Sequence, residues 1–209
     1  MAINAAEEES LEALKKWWEE NGKQLLTMVI VVFALGTSWL LWQNSQIAAA
    51  DAASDIYEEI LTLAVAEPGT EVSAENGAQI LDLGNQLRAD HSGTVYALFG
   101  SLFSAQQQVR TDDLAAAEES LQWILDNQKD GMFDKTDEGL ILTASLRLGR
   151  VILAQGDAER ALSLINNLDP KTFEPGFAEL RGDVYLAMGR LVDAREAYQA
   201  AQQAGSNSG

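Results

Sequence analysis

The sequence predicts an all-α protein: a single transmembrane helix followed by a solenoid of helical hairpins. Three observations carry this. Leu25 to Trp42 is apolar, uncharged and free of proline. A Leu/Arg-Gly-x-x-Ile/Tyr…Gly…Ala pattern recurs 33 residues on, from Gly149 to Gly182. Between these stretches, apolar residues return at helical i, i+3/i+4 spacing, punctuated by turn residues.

In order along the chain, residues 1–23 form an acidic leading segment, with residues 1–9 expected to be disordered. Ser10 can cap a short amphipathic helix whose stripe is Leu11, Leu14, Trp17 and Trp18, and Asn21-Gly22 is expected to stop it. This helix lies on the membrane or a partner, or else simply extends the span that follows; the residues do not separate these readings.

The span is placed at 24–43, anchored by Leu25, Val29, Phe33, Trp39 and Trp42. At roughly 1.5 Å rise per residue, Leu25 to Trp42 covers about 27 Å, close to a hydrocarbon thickness of about 30 Å. Trp17, Trp18, Trp39 and Trp42 flank it, where tryptophan meets the headgroups. Lys15, Lys16 and Lys23 precede it, and no base follows until Arg88, so the amino end is expected in the cytoplasm and the rest in the periplasm of a bacterial inner membrane. A cleaved signal peptide, with Ala48-Ala49-Ala50 as its site, would have a shorter apolar core of roughly 7–15 residues and a less acidic leader. A buried core helix of a soluble protein is the remaining alternative.

Composition narrows the function. The net charge is −18, and beyond Lys23 there are 26 acids against 11 bases. Nucleic-acid binding needs a basic footprint, which is missing, and no such partner is expected. There is no cysteine, hence no disulfide and no thiolate chemistry, and the outer domain must stand on its core. His91 is the sole histidine, in the Asp90-His91-Ser92-Gly93 turn, and is expected to be a solvated loop residue. Adjacent carboxylates such as Asp112-Asp113 or Glu118-Glu119 do not make a nucleophile–base–oxyanion set. No enzymatic activity, metal or cofactor is expected.

The outer domain is placed at 44–203, with a loose tail at 204–209. A helical pattern from Asn44 to Ala66 ends at Glu67-Pro68-Gly69-Thr70, and a second helix fits Ser73 to Arg88. From Thr94 three helix–turn–helix copies follow. Gly149, Ile152, Gly156 and Ala161 recur as Gly182, Tyr185, Gly189 and Ala194. A degenerate copy 44 residues upstream has Ala105, Gln108, Asp112 and Ala117, with the additional residues assigned to the linker near Gln128 to Glu138. Gly149 and Gly182 let paired helices approach closely, while Gly156 and Gly189 supply a positive-φ helix stop. Leu146, Leu153, Leu162, Ile165 and Leu168, then Leu180, Leu186, Tyr198 and Ala201, are expected to close the core.

Period and pattern resemble the tetratricopeptide repeat. The whole chain is also similar to the YfgM-like family, ancillary subunits of the bacterial Sec translocon. The similarity rests on Leu11 to Lys23 directly before a single span, on Tyr96-Ala97-Leu98 with Ala105-Gln106-Gln107, on Leu146-Arg147-Leu148, and on Ala178 to Asp183 with its Leu180-Arg181-Gly182. The resemblance implies a single-span inner-membrane protein with a periplasmic repeat domain, in association with the translocon and periplasmic chaperones or unfolded polypeptides. The chain stops soon after its last repeat, where family members can carry a further helix.

The first helix of each copy is expected to line a concave, partner-binding face. That face would hold Leu102, Gln106, Val109, Leu146, Arg150, Leu153, Glu179, Asp183 and Leu186, with inter-repeat core as the plainer role for the leucines. Anchor and repeats fit an envelope scaffold for cell division or wall assembly equally well. Only the family resemblance favours the translocon. Homo-oligomerisation stays open.

Overall fold

The computed structural model describes residues 2–65, 71–131 and 135–206, with side chains from Ser10 onward. Eight α-helices are present among them: α1 (Ala2–Ala64), α2 (Ala74–Asp90), α3 (Val95–Arg110), α4 (Leu114–Asp126), α5 (Glu138–Ala154), α6 (Ala158–Asn166), α7 (Glu174–Ala187) and α8 (Leu191–Ser206). A 3-10 turn at Lys171–Phe173 precedes α7. The chain divides into two compact units, 1–49 and 50–209.

The first unit is helix throughout its described residues, which corrects two expectations. Residues 2–9 are helical rather than disordered, and nothing stops the helix at Asn21-Gly22. The Asn21 side chain donates to the Trp17 carbonyl at 3.1 Å instead of capping. At Gly22 the Trp18 indole covers the backbone, 3.1 Å from where a Cβ would stand. One interior glycine costs a helix only about 1 kcal/mol, too little to end one this long. Thr27 and Thr37 donate back to the Lys23 and Phe33 carbonyls at 2.8 and 2.9 Å. Both threonine hydroxyls of the apolar stretch thus have a partner on their own helix, as an environment without water favours. Ser10–Ala64 holds one helix long and apolar enough to cross a membrane, with none of its most apolar window buried.

The second unit opens with the last turns of α1, where Ala53 and Ile60 are fully buried with Ile80, Leu87 and Ala97. Asn44 to Ala64 of the expected helical pattern is therefore the end of α1, continuous with the apolar span. The expected break at Glu67-Pro68-Gly69-Thr70 lies outside the described residues. Ser73, Thr94, Asp113, Asp137 and Asp157 cap α2 to α6, each side chain accepting a backbone N–H three residues on.

Three hairpins follow, α3/α4, α5/α6 and α7/α8, and their turns are the same turn. Asp112, Gly156 and Gly189 have φ of 61°, 90° and 75°. The next residue's N–H bonds back to the same position each time: Asp113 to Gln108 at 2.8 Å, Asp157 to Ile152 at 3.2 Å, Arg190 to Tyr185 at 2.8 Å. This places the degenerate copy in the register expected from Asp112. The additional residues are only partly where the sequence put them. The α4 helix has 13 residues where α6 has 9, and α5 has 17 where α7 has 14, so the loop between α4 and α5 takes only the remainder. At the carboxy end α8 runs through Gly205 to Ser206, further than a tail from 204 allows; residues 207–209 lie outside the described residues.

Small residues set the spacing between helices. A Cβ on Gly149 would meet Leu180 Cδ2 at 2.7 Å and Ile165 Cγ2 at 3.4 Å. Leu180 is fully buried and cannot withdraw. On Gly182 a Cβ would meet the Tyr198 ring, which is only half-buried. Ala161 and Ala194 are buried on the facing helices. Ile165 and Leu180 join the core as expected, and Leu146, Leu153, Leu162 and Leu168 pack against it. Leu186 does not: at 52% exposure it lies on the outer end of α7. His91 is half-buried at the end of α2 rather than solvated, its Nδ1 buried and unpartnered.

Gly149→Leu should therefore destabilise the domain by about 1–3 kcal/mol or more through overpacking, and Gly182→Leu by less. Thermal melting followed by circular dichroism checks the order; unchanged melting of both variants would remove the repeat register.

Candidate functional site

The residues expected on a partner face divide by burial. Leu102 is a correction: at 8% exposure it lies in the core, buried in the cluster that holds Leu121 and Leu148, with α4 packed on α3. Leu146 and Leu153 are partly buried, and Leu146 reaches across to α7, its Cδ2 2.9 Å from the Cβ position of Gly176. Gln106, Val109, Arg150, Glu179, Asp183 and Leu186 are exposed.

Three of the exposed residues, Gln106, Val109 and Arg150, meet in one groove of about 380 Å³ along α3, α4 and α5. Its size lies near the lower end of binding clefts, roughly 300–1,000 Å³. Ala105, Leu114, Leu121, Val151 and Ala154 give it an apolar lining. Arg110 and Arg147 complete it with Arg150. Sequence reasoning missed Arg110 and Arg147, although a signal existed: Arg147 and Arg150 are three apart on one helix and share a face.

The three arginines are held differently. Arg110 donates to Glu71 at 3.2 Å and to the Val72 carbonyl at 3.1 Å, tying α3 to the segment before α2. Arg150 pairs with Glu179 of α7 at 3.4 Å, with both side chains half-exposed. Arg147 makes no ion pair among the described residues. Partial shielding where it lines the groove, then the like charge of Arg150, lowers its pKa from the usual arginine value. A guanidinium remains charged at neutral pH regardless.

Beyond Arg150 the exposed face turns acidic. Asp183 accepts a hydrogen bond from the Tyr198 hydroxyl at 2.7 Å, joining α7 to α8. That bond, with burial and the Asp183 and Glu179 charges, pushes the Tyr198 pKa up to about 12. Among the described residues no group of three or more His, Cys, Asp or Glu is placed to hold a metal.

Stacked helix pairs with a shared positive-φ turn, an interhelical groove and an apolar leading helix define a tetratricopeptide-like interaction domain on a membrane-competent helix. A family profile described as a tetratricopeptide repeat-like domain matches residues 15–209. The ancillary SecYEG translocon subunit of Haemophilus influenzae is 31% identical over 210 residues, covering 99% of this chain and 93% of that protein. The Escherichia coli protein of the same name is 32% identical, covering 96% and 89%. The one from Aggregatibacter actinomycetemcomitans is 29% identical, covering 97% and 92%. The chain belongs to this family of ancillary SecYEG translocon subunits. No solved structure matches it significantly.

A folded-state tyrosine pKa above the ordinary 10 means that the neutral phenol is favoured in the fold. Its contribution is complete below pH 10 and is lost as pH rises towards about 12. Tyr198→Phe should remove the highest-pH step of the tyrosine absorbance titration and flatten the fall of stability across that window, as read by spectrophotometric titration and pH-dependent melting.

Proposed function

We propose that this chain is a non-enzymatic scaffold, held in the bacterial inner membrane by α1 and ancillary to the Sec translocon. Its helical domain lies in the periplasm and links the translocon to periplasmic chaperones or emerging polypeptides. The observation that carries this reading is the near full-length similarity to proteins named ancillary SecYEG translocon subunits. Lys15, Lys16 and Lys23 on one flank, against no base until Arg88 on the other, support the orientation.

The physical role follows from tethering. A binding domain held near the translocon meets its partner at an effective concentration that reaches the order of mM for short linkers, so even weak contacts are occupied. Solenoid surfaces suit extended or helical segments, which they recognise without doing chemistry on them.

Affinity capture of the tagged full chain from membranes in mild detergent should recover translocon subunits, and a photoreactive residue at Trp39 or Leu186 should crosslink to them or to chaperones in intact membranes. Recovery of wall-assembly enzymes alone would overturn the reading. The absence of natural cysteine gives a second test. Ser163→Cys should react with a membrane-impermeant maleimide in cells whose outer membrane has been permeabilised, whereas Glu12→Cys should react only once the inner membrane is opened; the reverse pattern would invert the topology.

A further inference from the structure

We propose that the groove along α3, α4 and α5 binds an acidic segment of a partner polypeptide, seating an apolar side chain on its lining and carboxylates on Arg110, Arg147 and Arg150. The inference rests on the scaffold reading above and names the kind of segment that the scaffold holds. Charge complementarity singles out this occupant. The chain has 14 bases against 32 acids, yet three arginines converge on this one groove. Most of its surface therefore repels an acidic segment, and this groove attracts one.

The arginines are available. Arg147 has no acid partner among the described residues. Arg110 and Arg150 engage Glu71 and Glu179, whose side chains are 92% and 59% exposed. Exposed pairs of this kind are weak and exchange readily. An incoming carboxylate can replace them, and a guanidinium offers it a two-pronged fork. Among the arginines, Val109 is 45% exposed and lines the groove with Leu114 and Ala154, an apolar surface open to solvent. Burying one side chain there adds the attraction that charge alone does not supply in salt.

The test uses the full chain in detergent micelles and fluorescein-labelled peptides with Glu-Leu-Glu-Leu-Glu, Lys-Leu-Lys-Leu-Lys or Glu-Ser-Glu-Ser-Glu cores, read by anisotropy. The Glu/Leu peptide should bind, more weakly as salt rises, and the other two should not. Arg147→Glu with Arg150→Glu should weaken that binding at least about tenfold and confer binding of the Lys/Leu peptide. Arg147→Gln, which adds no charge to the fold, should weaken it less while leaving the melting curve unchanged. Absence of binding, equal binding of the Glu/Leu and Lys/Leu peptides, or full affinity in both variants would overturn the proposal. So would self-association of the chain that Arg150→Glu abolishes, since the groove would then hold a second copy. Translocon capture is measured on the same variants. Its persistence without peptide discrimination removes only the groove's role, whereas its failure in the unaltered chain removes the scaffold reading.

Discussion

A backbone residue with positive φ after the first helix of each pair is the constraint on which the domain depends. At Asp112, Gly156 and Gly189 the chain reverses through the same hydrogen-bonded turn, so the second helix of each pair returns along the first. Gly149 and Gly182 then make room for the side chains of Leu180 and Tyr198, which stand where a Cβ would be. The groove is a product of that stacking: its arginines come from α3 and α5, and its lining from both and from α4. Glycine adopts this conformation freely, and aspartate is among the few other residues that tolerate it. The first hairpin therefore folds at a modest local strain, which its neighbours support.

The leading helix solves a different problem. Its apolar side chains face outward, Phe33 at 72% exposure and Trp39 at 63%, an arrangement that water would penalise and lipid accepts. Its threonines close on carbonyls one turn back, so their hydroxyls are not left for lipid to satisfy. The second unit does the reverse, burying Phe177, Leu180 and Val184 and presenting acids to solvent. One chain thus carries two surfaces for two solvents.

Much of this was legible in the sequence, for particular reasons. Periodicity and the glycine spacing gave the hairpins, because a close approach and a positive φ each admit few residue types. Asp112 could be aligned even in a degenerate copy for the same reason. What periodicity could not give was depth. Leu153 and Leu186 each stand three residues before their turn glycines, yet Leu153 packs against the core and Leu186 is exposed; Leu102 and Leu146 each stand ten before their turn positions, yet only Leu102 is fully in the core. Nor could local signals show that Gly22 lies inside a long helix, since a stop there is decided by what surrounds the helix rather than by two residues. Arg147 was passed over because a basic residue on an amphipathic helix reads as a solvated face until a neighbouring helix turns that face into a groove wall.

The uneven spacing of the copies has a consequence of its own. The α4 helix exceeds α6 by four residues and α5 exceeds α7 by three, each close to the 3.6 residues of one helical turn. Adding a whole turn lengthens a helix without rotating its buried stripe away from its neighbours. Growth of this architecture is thus quantised: a hairpin can lengthen or shorten by steps of three or four residues, and a step of two would swing its oily side into water.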